Sequence, residues 1–262
     1  MKTIDFNSDV GEGFGIYRLG SDRSVLECVS SANIACGMHA GDPQSIAETM
    51  GVAVELGVSV GAHPGFADLQ GFGRRPMHLS SQEIYNLVVY QVGALQAFAK
   101  AAGARLAHVK THGALYNMAA RDPAMAKAVA QAVRDVDDEL VFFGLAGSAL
   151  VVAGQEIGLI VAEEVFADRT YQDDGSLTPR AHPCAMITDI DQSIAQVLRM
   201  VREGYVRSVN GVDIAVHADT LCIHGDQPGA AKFAQGIRQA LATEGVAIKA
   251  PANRTANNVS ST

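Results

Sequence analysis

Residues 3–9 read Thr-Ile-Asp-Phe-Asn-Ser-Asp, and this segment is the first of seven short runs that alternate with helical patterns along the chain. Such alternation is typical of a parallel α/β fold rather than of separate groups of strands and helices. We therefore predict strands near residues 3–9, 31–36, 58–62, 106–110, 140–144, 158–162 and 219–224.

The helical segments between these strands support the same architecture. Three begin with an Asp-Pro step or a Ser-x-x-Glu capping box, and they are predicted over 43–56, 81–102 and 123–136. Weaker patterns predict helices near 22–30, 147–156, 190–203 and 229–243. An open doubly wound sheet would use the same alternation, but seven units in about 250 residues favour a closed TIM-like (β/α) barrel.

Composition limits both the domain organisation and the class of partner. The chain has 262 residues, 48% of them apolar, which is enough for one barrel domain over residues 1–250 without a disulfide or metal to hold it. The segment 251–262 has too few apolar residues to pack, so we predict a disordered tail. A net charge of −8 argues against a nucleic acid partner.

Location is predicted from three negative features of the sequence. The four cysteines show no Cys-x-x-Cys spacing, and the N-terminus lacks the apolar run of a signal peptide. The glycine-broken run from Leu140 to Gly154 is shorter than the ~20 residues that a membrane-spanning helix needs. We therefore predict a cytoplasmic protein with no membrane span.

Three segments depart from the repeat. Residues 63–79 and 163–185 are long loops after predicted strands, and loops of this length are usually functional or disordered. Their aromatic and charged content favours function, as a lid over a ligand. Residues 205–217 carry Asn210-Gly211 between alternating residues, which predicts a β-hairpin attached to the barrel.

The first strand places polar side chains where a buried parallel strand is normally apolar. Asp5, Asn7 and Asp9 share one face, because side chains alternate along a strand. One interpretation is a hydrogen-bonded core network, since buried polar groups are ordinarily satisfied. The pattern recurs, however, and it favours an active site at the mouth of the barrel. The recurrences are His108, Lys110 and His112 on the fourth strand, and Cys222, His224 and Asp226 on the seventh.

Further polar residues follow other predicted strands: Asn33, His39, His63, Glu163 and Glu164. Asp9 with some of these histidines, or with His112 or His224, could bind a zinc-like ion. No fixed-spacing metal motif is present, so the need for a metal is left open. The same groups could instead transfer protons, with Asp9 as the base and a histidine or Lys110 holding developing negative charge.

A glycine run and several arginines complete the set of candidates. Residues 11–15, Gly-Glu-Gly-Phe-Gly, match neither the dinucleotide fingerprint nor the P-loop, and they predict a turn or a backbone surface for an anion. Arg74, Arg75, Arg169 and Arg180 lie in the two long loops. They could close over an acidic substrate or a phosphate.

Six blocks of the sequence resemble, in order, the signature blocks of the LamB/YcsF family. They are IDFNSDVGEGFG (4–15), ANIACGMHAGDP (32–43), GAHPGFADLQGFGRR (61–75), HVKTHGALYN (108–117), AEEVFADRTYQDDGSLTPR (162–180) and CIHGD (222–226). The resemblance implies the seven-stranded barrel of sugar deacetylases. It also implies the role of the A subunit in an ATP-dependent 5-oxoprolinase, which opens 5-oxoproline to L-glutamate together with subunits B and C.

From the strand-end positions and this resemblance we assign roles. Catalytic roles are predicted for Asp9, Glu12, Lys110 and His112. Substrate-binding roles are predicted for Asn7, Asn33, His39, His63, Arg74, Glu164, Arg169, Arg180, His224 and Asp226. ATP is expected as co-substrate, with Mg²⁺. Three questions are left open: which subunit binds ATP, whether the protein binds a divalent metal, and whether it self-associates. Two alternative functions also remain, a metal-dependent deacetylase or amidohydrolase and a noncatalytic ligand-binding subunit.

Overall fold

The computed structural model describes residues 2–17, 22–224 and 229–252. Its strands, in chain order, are β1 (Lys2–Val10), β2 (Ser31–Ala35), β3 (Ser59–His63), β4 (His108–Lys110), β5 (Val141–Leu145), β6 (Ile160–Phe166), β7 (Tyr205–Arg207), β8 (Asp213–Ala215), β9 (Thr220–His224) and β10 (Val246–Ile248). Strands β1 to β6 and β9 pair in parallel in that order, and β9 pairs back onto β1. The predicted TIM-like (β/α) barrel is confirmed.

The helices surround this barrel. They are α1 (Asp22–Leu26), α2 (Pro43–Glu55), α3 (Ser81–Ala101), α4 (Gly113–Ala119), α5 (Pro123–Val136), α6 (Ala149–Glu156), α7 (Ile190–Leu198) and α8 (Ala230–Thr243), with a π-helical turn Arg199–Glu203 after α7. Asp42, Ser80 and Asp122 cap α2, α3 and α5 through their side chains, as the sequence predicts. No helix among the described residues is both long and apolar enough to cross a membrane.

The structure differs from the predicted elements in three places. The predicted strand 158–162 is wrong at its end, because β6 continues to Phe166 and contains Glu163 and Glu164. Helix α4 and the short strand β10, which pairs with the start of β1, were not predicted. The predicted hairpin is confirmed as the antiparallel pair β7 and β8. Most of the predicted tail, residues 253–262, lies outside the described residues.

The barrel interior is polar, and the apolar core lies between the strands and the helices. On β1, Ile4 and Phe6 belong to that core, whereas Asp5 is buried among hydroxyl groups. Ser31 Oγ and Thr220 Oγ1 donate to the Asp5 carboxylate at 2.7 and 2.5 Å. The deep part of the polar face is therefore a satisfied structural network, and the chemistry lies nearer the carboxyl ends of the strands.

A glycine on β3 makes room for one of the interior side chains. A Cβ on Gly61 would lie 2.2 Å from His108 Nε2, and that ring is stacked on Phe143 and bonded to Asn33. We expect Gly61→Ala to destabilise the protein by about 1–3 kcal/mol. Gly51→Ala, at an open position on α2, should instead stabilise it by about 0.5–1 kcal/mol. Urea unfolding measures both, and a Gly61→Ala protein as stable as the native chain would contradict the prediction.

Candidate active site

A pocket opens at the carboxyl ends of the strands, where a barrel of this type carries its functional groups. Strands β1, β3, β4 and β9 supply some of its side chains, and the two long loops supply others. Among the predicted residues, those that line it are Asp9, His63, Arg74, Lys110, His112, Arg169, Arg180 and His224.

Asp9 is the buried carboxylate at the base of this pocket. Its Oδ1 accepts hydrogen bonds from Lys110 Nζ at 3.0 Å and from Asn33 Nδ2 at 2.8 Å. Its Oδ2 lies 3.3 Å from His63 Nε2 and 3.9 Å from His224 Nε2. Burial alone would raise the pKa of Asp9, but its interactions with His63 and Lys110 outweigh burial and hold that pKa well below its usual range. Asp9 is therefore an ionised carboxylate with one oxygen turned toward the histidines.

Lys110 is a buried cation with every donor occupied. Its ammonium lies 3.0 Å from Asp9 Oδ1 and 2.8 Å from Glu164 Oε1, and it also contacts Asn7 Oδ1 at 3.3 Å and Cys222 Sγ at 3.0 Å. The charges of Asp9 and Glu164 outweigh the effect of burial and hold the pKa of Lys110 well above its usual range. An ammonium has only three N–H donors. The four contacts hold Lys110 beside Asp9 and Glu164, and its predicted contact with developing negative charge stays a prediction.

His63 and His112 face each other across the pocket floor. His63 Nδ1 lies 2.7 Å from the carbonyl oxygen of Lys110, and His112 Nε2 lies 2.8 Å from that of Phe72. The remaining nitrogens, His63 Nε2 and His112 Nδ1, are 3.0 Å apart. Burial, followed by the neighbouring histidines, holds the pKa of His112 well below its usual range. His112 is therefore a neutral imidazole whose N–H is held by a backbone carbonyl.

Glu12 and His39 lie behind this pair, outside the pocket lining. Glu12 Oε1 is 3.4 Å from His112 Nδ1 and 3.3 Å from His39 Nε2. The rings of His39 and His112 are stacked, with centroids 3.7 Å apart. Burial lowers the pKa of His39 well below its usual range. The glycine run after β1 thus delivers a carboxylate to the histidine cluster.

His224 is oriented by a carboxylate that the strand pattern of the sequence did not indicate. Its Nδ1 lies 2.8 Å from Asp168 Oδ2, and Asp168 is buried. Burial would raise the pKa of Asp168, but His224 outweighs burial and lowers it. This contact directs His224 Nε2 toward Asp9. The neighbouring candidate Asp226 lies outside the described residues.

Three arginines meet above the carboxylate and histidines. Arg74 comes from the first long loop, and Arg169 and Arg180 come from the second. Arg169 is buried and donates to the carbonyl oxygens of Thr178 and Ala185, so it also holds its own loop together. Burial and the nearby charge of Arg180 lower the pKa of Arg169 to about 10. Crowded guanidinium groups of this kind favour an anionic ligand.

Some predicted substrate-binding residues lie beneath the pocket instead of lining it. Asn33 Nδ2 donates to Asn7 Oδ1 at 2.7 Å, and Asn7 Nδ2 donates to Glu164 Oε1 at 3.0 Å. Glu164 Oε2 accepts a hydrogen bond from Tyr116 Oη at 2.6 Å. These three predicted residues support Asp9 and Lys110 from below. None of the three is among the residues that line the pocket.

Tyr116, Asp168 and Phe72 are the residues that sequence reasoning missed. Tyr116 lines the pocket and lies one helical turn after His112, so the i, i+4 spacing on α4 was the available signal. Asp168 lies two residues beyond β6, where a strand-end carboxylate could have been expected. Phe72 acts through its carbonyl oxygen and adopts a left-handed φ of 54°, which no side-chain pattern indicates.

Comparison with known proteins identifies close relatives. Residues 4–256 match the model of the LamB/YcsF family. A protein of Bordetella pertussis, named as the A subunit of 5-oxoprolinase, is 62% identical over 94% of this chain and 98% of its own length. A protein of the same name from Brevibacillus brevis is 58% identical over 95% of this chain and 98% of its own.

A solved structure shows the same fold at high similarity. The lactam utilization protein from Thermus thermophilus superposes with a TM-score of 0.89 and 47% sequence identity, covering 95% of this chain and all of its own. The fold is therefore shared with a protein whose name refers to lactam utilization.

Proposed function

Because the chain belongs to the LamB/YcsF family, we propose that it is the A subunit of an ATP-dependent 5-oxoprolinase. Its pocket binds 5-oxoproline and opens the five-membered lactam to L-glutamate. The observation that carries this proposal is that three arginines and the Asp9–Lys110 pair converge on one pocket. The names of the relatives from Bordetella pertussis and Thermus thermophilus support the choice of a lactam.

The arginines provide the site for the carboxylate of 5-oxoproline. A planar guanidinium forms two parallel hydrogen bonds with a carboxylate, which sets the orientation as well as the affinity. Arg74 and Arg180 line the mouth, and Arg169 lines it too while it donates to a carbonyl oxygen of its own loop. The substrate is therefore held with its carboxylate outward and its lactam ring toward Asp9.

The lactam is a resonance-stabilised amide, so opening it needs activation as well as a nucleophile. Phosphorylation of the amide oxygen by ATP, which releases ADP, would make the ring carbon susceptible to water. Cleavage of the ring C–N bond then leaves an acyl phosphate, and a second water releases phosphate and L-glutamate. Asp9 Oδ2, the oxygen turned toward His63 and His224, is placed to accept a proton from the first water. Lys110 keeps Asp9 ionised for this role, and the arginines hold the substrate in place.

ATP and the partner subunits follow from the same proposal. The sequence has no P-loop, so ATP with Mg²⁺ binds either at a site of another type or at one completed by subunits B and C. The isolated chain is therefore expected to bind 5-oxoproline but to turn over little of it. The cytoplasm, where ATP is abundant, is the proposed location.

The carboxylate site is tested by a conservative change. We expect Arg180→Lys to weaken 5-oxoproline binding about 10-fold, because an ammonium cannot reproduce the guanidinium fork. Arg75→Lys is the matched control: Arg75 lies in the first long loop, its side chain is 63% exposed and it pairs with Asp68. Titration calorimetry measures binding to the chain and to its complex with subunits B and C. If Arg180→Lys binds 5-oxoproline with native affinity, Arg180 does not bind the substrate carboxylate.

A further inference from the structure

Two imidazole nitrogens face each other in the histidine cluster. His63 and His112 each have one ring nitrogen within hydrogen-bond distance of a backbone carbonyl, which accepts hydrogen bonds only. When an imidazole is neutral, its proton therefore lies on the nitrogen that faces the carbonyl, and its lone pair lies on the other nitrogen. With 3.0 Å between His63 Nε2 and His112 Nδ1, two lone pairs repel unless a positive charge lies between them.

A carboxylate oxygen joins the two nitrogens. Glu12 Oε1 lies 3.4 Å from His112 Nδ1. One nitrogen or oxygen atom from each of Glu12, His39, His63 and His112 lies within 4.8 Å of the others. Three of these four residues are fully buried and Glu12 is nearly so. Acceptor atoms gathered in this way, away from solvent, form a site for a cation.

We propose that His63 Nε2, His112 Nδ1 and Glu12 Oε1 bind one divalent transition-metal ion of the zinc type. Imidazole and carboxylate are ligands that such ions prefer, and bonds of about 2.1 Å at tetrahedral angles separate neighbouring ligand atoms by about 3.4 Å. The distances of 3.0 and 3.4 Å agree with that spacing. This inference goes beyond the proposed reaction, because ion binding needs neither substrate nor partner subunits.

The surroundings of the ligands fit a metal site. Metal-binding histidines usually donate their other N–H to a carbonyl or carboxylate, which sets the ring orientation. The carbonyl oxygens of Lys110 and Phe72 provide these contacts for His63 and His112.

His39 has a different place in the cluster. Its ring is parallel to that of His112 within 4°, and an ion in the plane of one ring cannot lie in the plane of the other. We therefore exclude His39 as a third imidazole ligand in the observed orientation. Its Nε2 lies 3.3 Å from Glu12 Oε1, and its buried Nδ1 has no hydrogen-bond partner among the described residues. His39 positions the Glu12 carboxylate.

A second group of potential ligands is less suited to a metal ion. Asp9, Cys222 and His224 also offer atoms within 4.8 Å of one another. Lys110 Nζ, however, already lies 3.0 Å from both Asp9 Oδ1 and Cys222 Sγ. The ammonium supplies the positive charge at this position and would repel a metal ion. Among the residues that the structure describes, no lysine makes a contact of this kind with the ligand atoms of the cluster at Glu12.

The test measures metal content on the full, tag-free chain after chelator treatment, without substrate. We expect the native chain to bind one Co²⁺ or Zn²⁺ per chain and to retain it through desalting. His112→Asn and Glu12→Gln should each weaken Co²⁺ binding about 10-fold or more. His217→Asn, which changes an exposed histidine paired with Asp219, should bind Co²⁺ like the native chain.

The Co²⁺ absorption spectrum distinguishes the two clusters. Binding at the proposed site gives a spectrum without a thiolate band, unchanged in Cys222→Ser. A thiolate band lost in Cys222→Ser would place the ion at Asp9, Cys222 and His224 and overturn the proposal. A native chain that retains no ion would also overturn it, and His63 and His112 would then share a proton. Because Glu12 is on a loop, Glu12→Gln keeps the test valid if His112→Asn fails to fold.

Discussion

Asp9→Asn is expected to lower the rate of 5-oxoproline opening about 100-fold or more in the complex with subunits B and C, with the fold intact. Asparagine keeps an oxygen to accept hydrogen bonds from Lys110 Nζ and Asn33 Nδ2, the two donors to Asp9 Oδ1. Its amide group takes the place of Asp9 Oδ2, which lies 3.3 Å from His63 Nε2. The variant therefore loses the negative charge and the base while it keeps the contacts.

The measurement is glutamate formation from saturating 5-oxoproline and ATP, with thermal unfolding as the check on folding. Asp213→Asn is the control, because Asp213 forms an exposed pair with Arg207 on the β7–β8 hairpin. Turnover of Asp9→Asn within a few-fold of the control would show that Asp9 is not the base. If Asp9→Asn no longer unfolds cooperatively, the Asp9 carboxylate is needed for folding, and its role is structural only.

Lys110→Met is expected to cost about 3–5 kcal/mol of unfolding free energy, the largest stability effect predicted for this protein. Removing the ammonium leaves the buried carboxylates of Asp9 and Glu164 without their shared cation. The exposed pair Lys127–Glu156, 3.3 Å apart with side chains 64% and 53% exposed, provides the comparison. Lys127→Met should change stability by less than about 1 kcal/mol, because exposed ion pairs contribute little.

A double variant separates this explanation from a general packing defect. In Lys110→Met with Glu164→Gln, one of the two uncompensated charges is gone, so part of the lost stability should return. Urea unfolding measures all three proteins. A loss below about 1 kcal/mol in Lys110→Met, or no recovery in the double variant, would show that the buried ion pairs do not stabilise the fold.

The same lysine controls the pH dependence of the proposed reaction. Lys110 helps to hold the pKa of Asp9 below its usual range, so its removal raises that pKa. If Asp9 acts as the base, the acidic limb of the rate profile should therefore move to higher pH in Lys110→Met. A profile that only falls in height, with no shift along the pH axis, would indicate a purely structural role.

The barrel was predictable because its signal repeats along the chain. Seven alternating units and the capping residues Asp42, Ser80 and Asp122 each indicate the same arrangement. Helix α4 carries no such signal, since it begins at Gly113 and His112 makes no side-chain cap. Strand β10 has three residues and depends on its pairing with β1.

The end of β6 was misplaced for a tertiary reason. Two glutamates in a row indicate the end of a buried strand, because an unpaired buried carboxylate is costly. Glu164 is nevertheless buried within β6, since Lys110 and Tyr116, more than forty residues earlier in the chain, compensate its charge. Glu163 points the other way and accepts a hydrogen bond from the backbone N–H of Gly147.

The site was predictable as a set of residues but not as an arrangement. Alternation along β1, β4 and β9 brings Asp9, Lys110 and His224 to one mouth. The sequence could not separate the residues that line the pocket from supports such as Asn7 and Asn33, because depth along the barrel depends on strand register. Backbone carbonyls orient His63 and His112. The positions of these carbonyls cannot be predicted from a pattern of side chains.

Reconstitution tests the central proposal most directly. ATP-dependent release of L-glutamate from 5-oxoproline is measured for this chain alone, for subunits B and C together, and for all three. We predict sustained release only from the complete mixture, accompanied by ADP and phosphate. Equal release by subunits B and C without this chain, or no release from the complete mixture, would contradict the assignment of this barrel to 5-oxoproline opening.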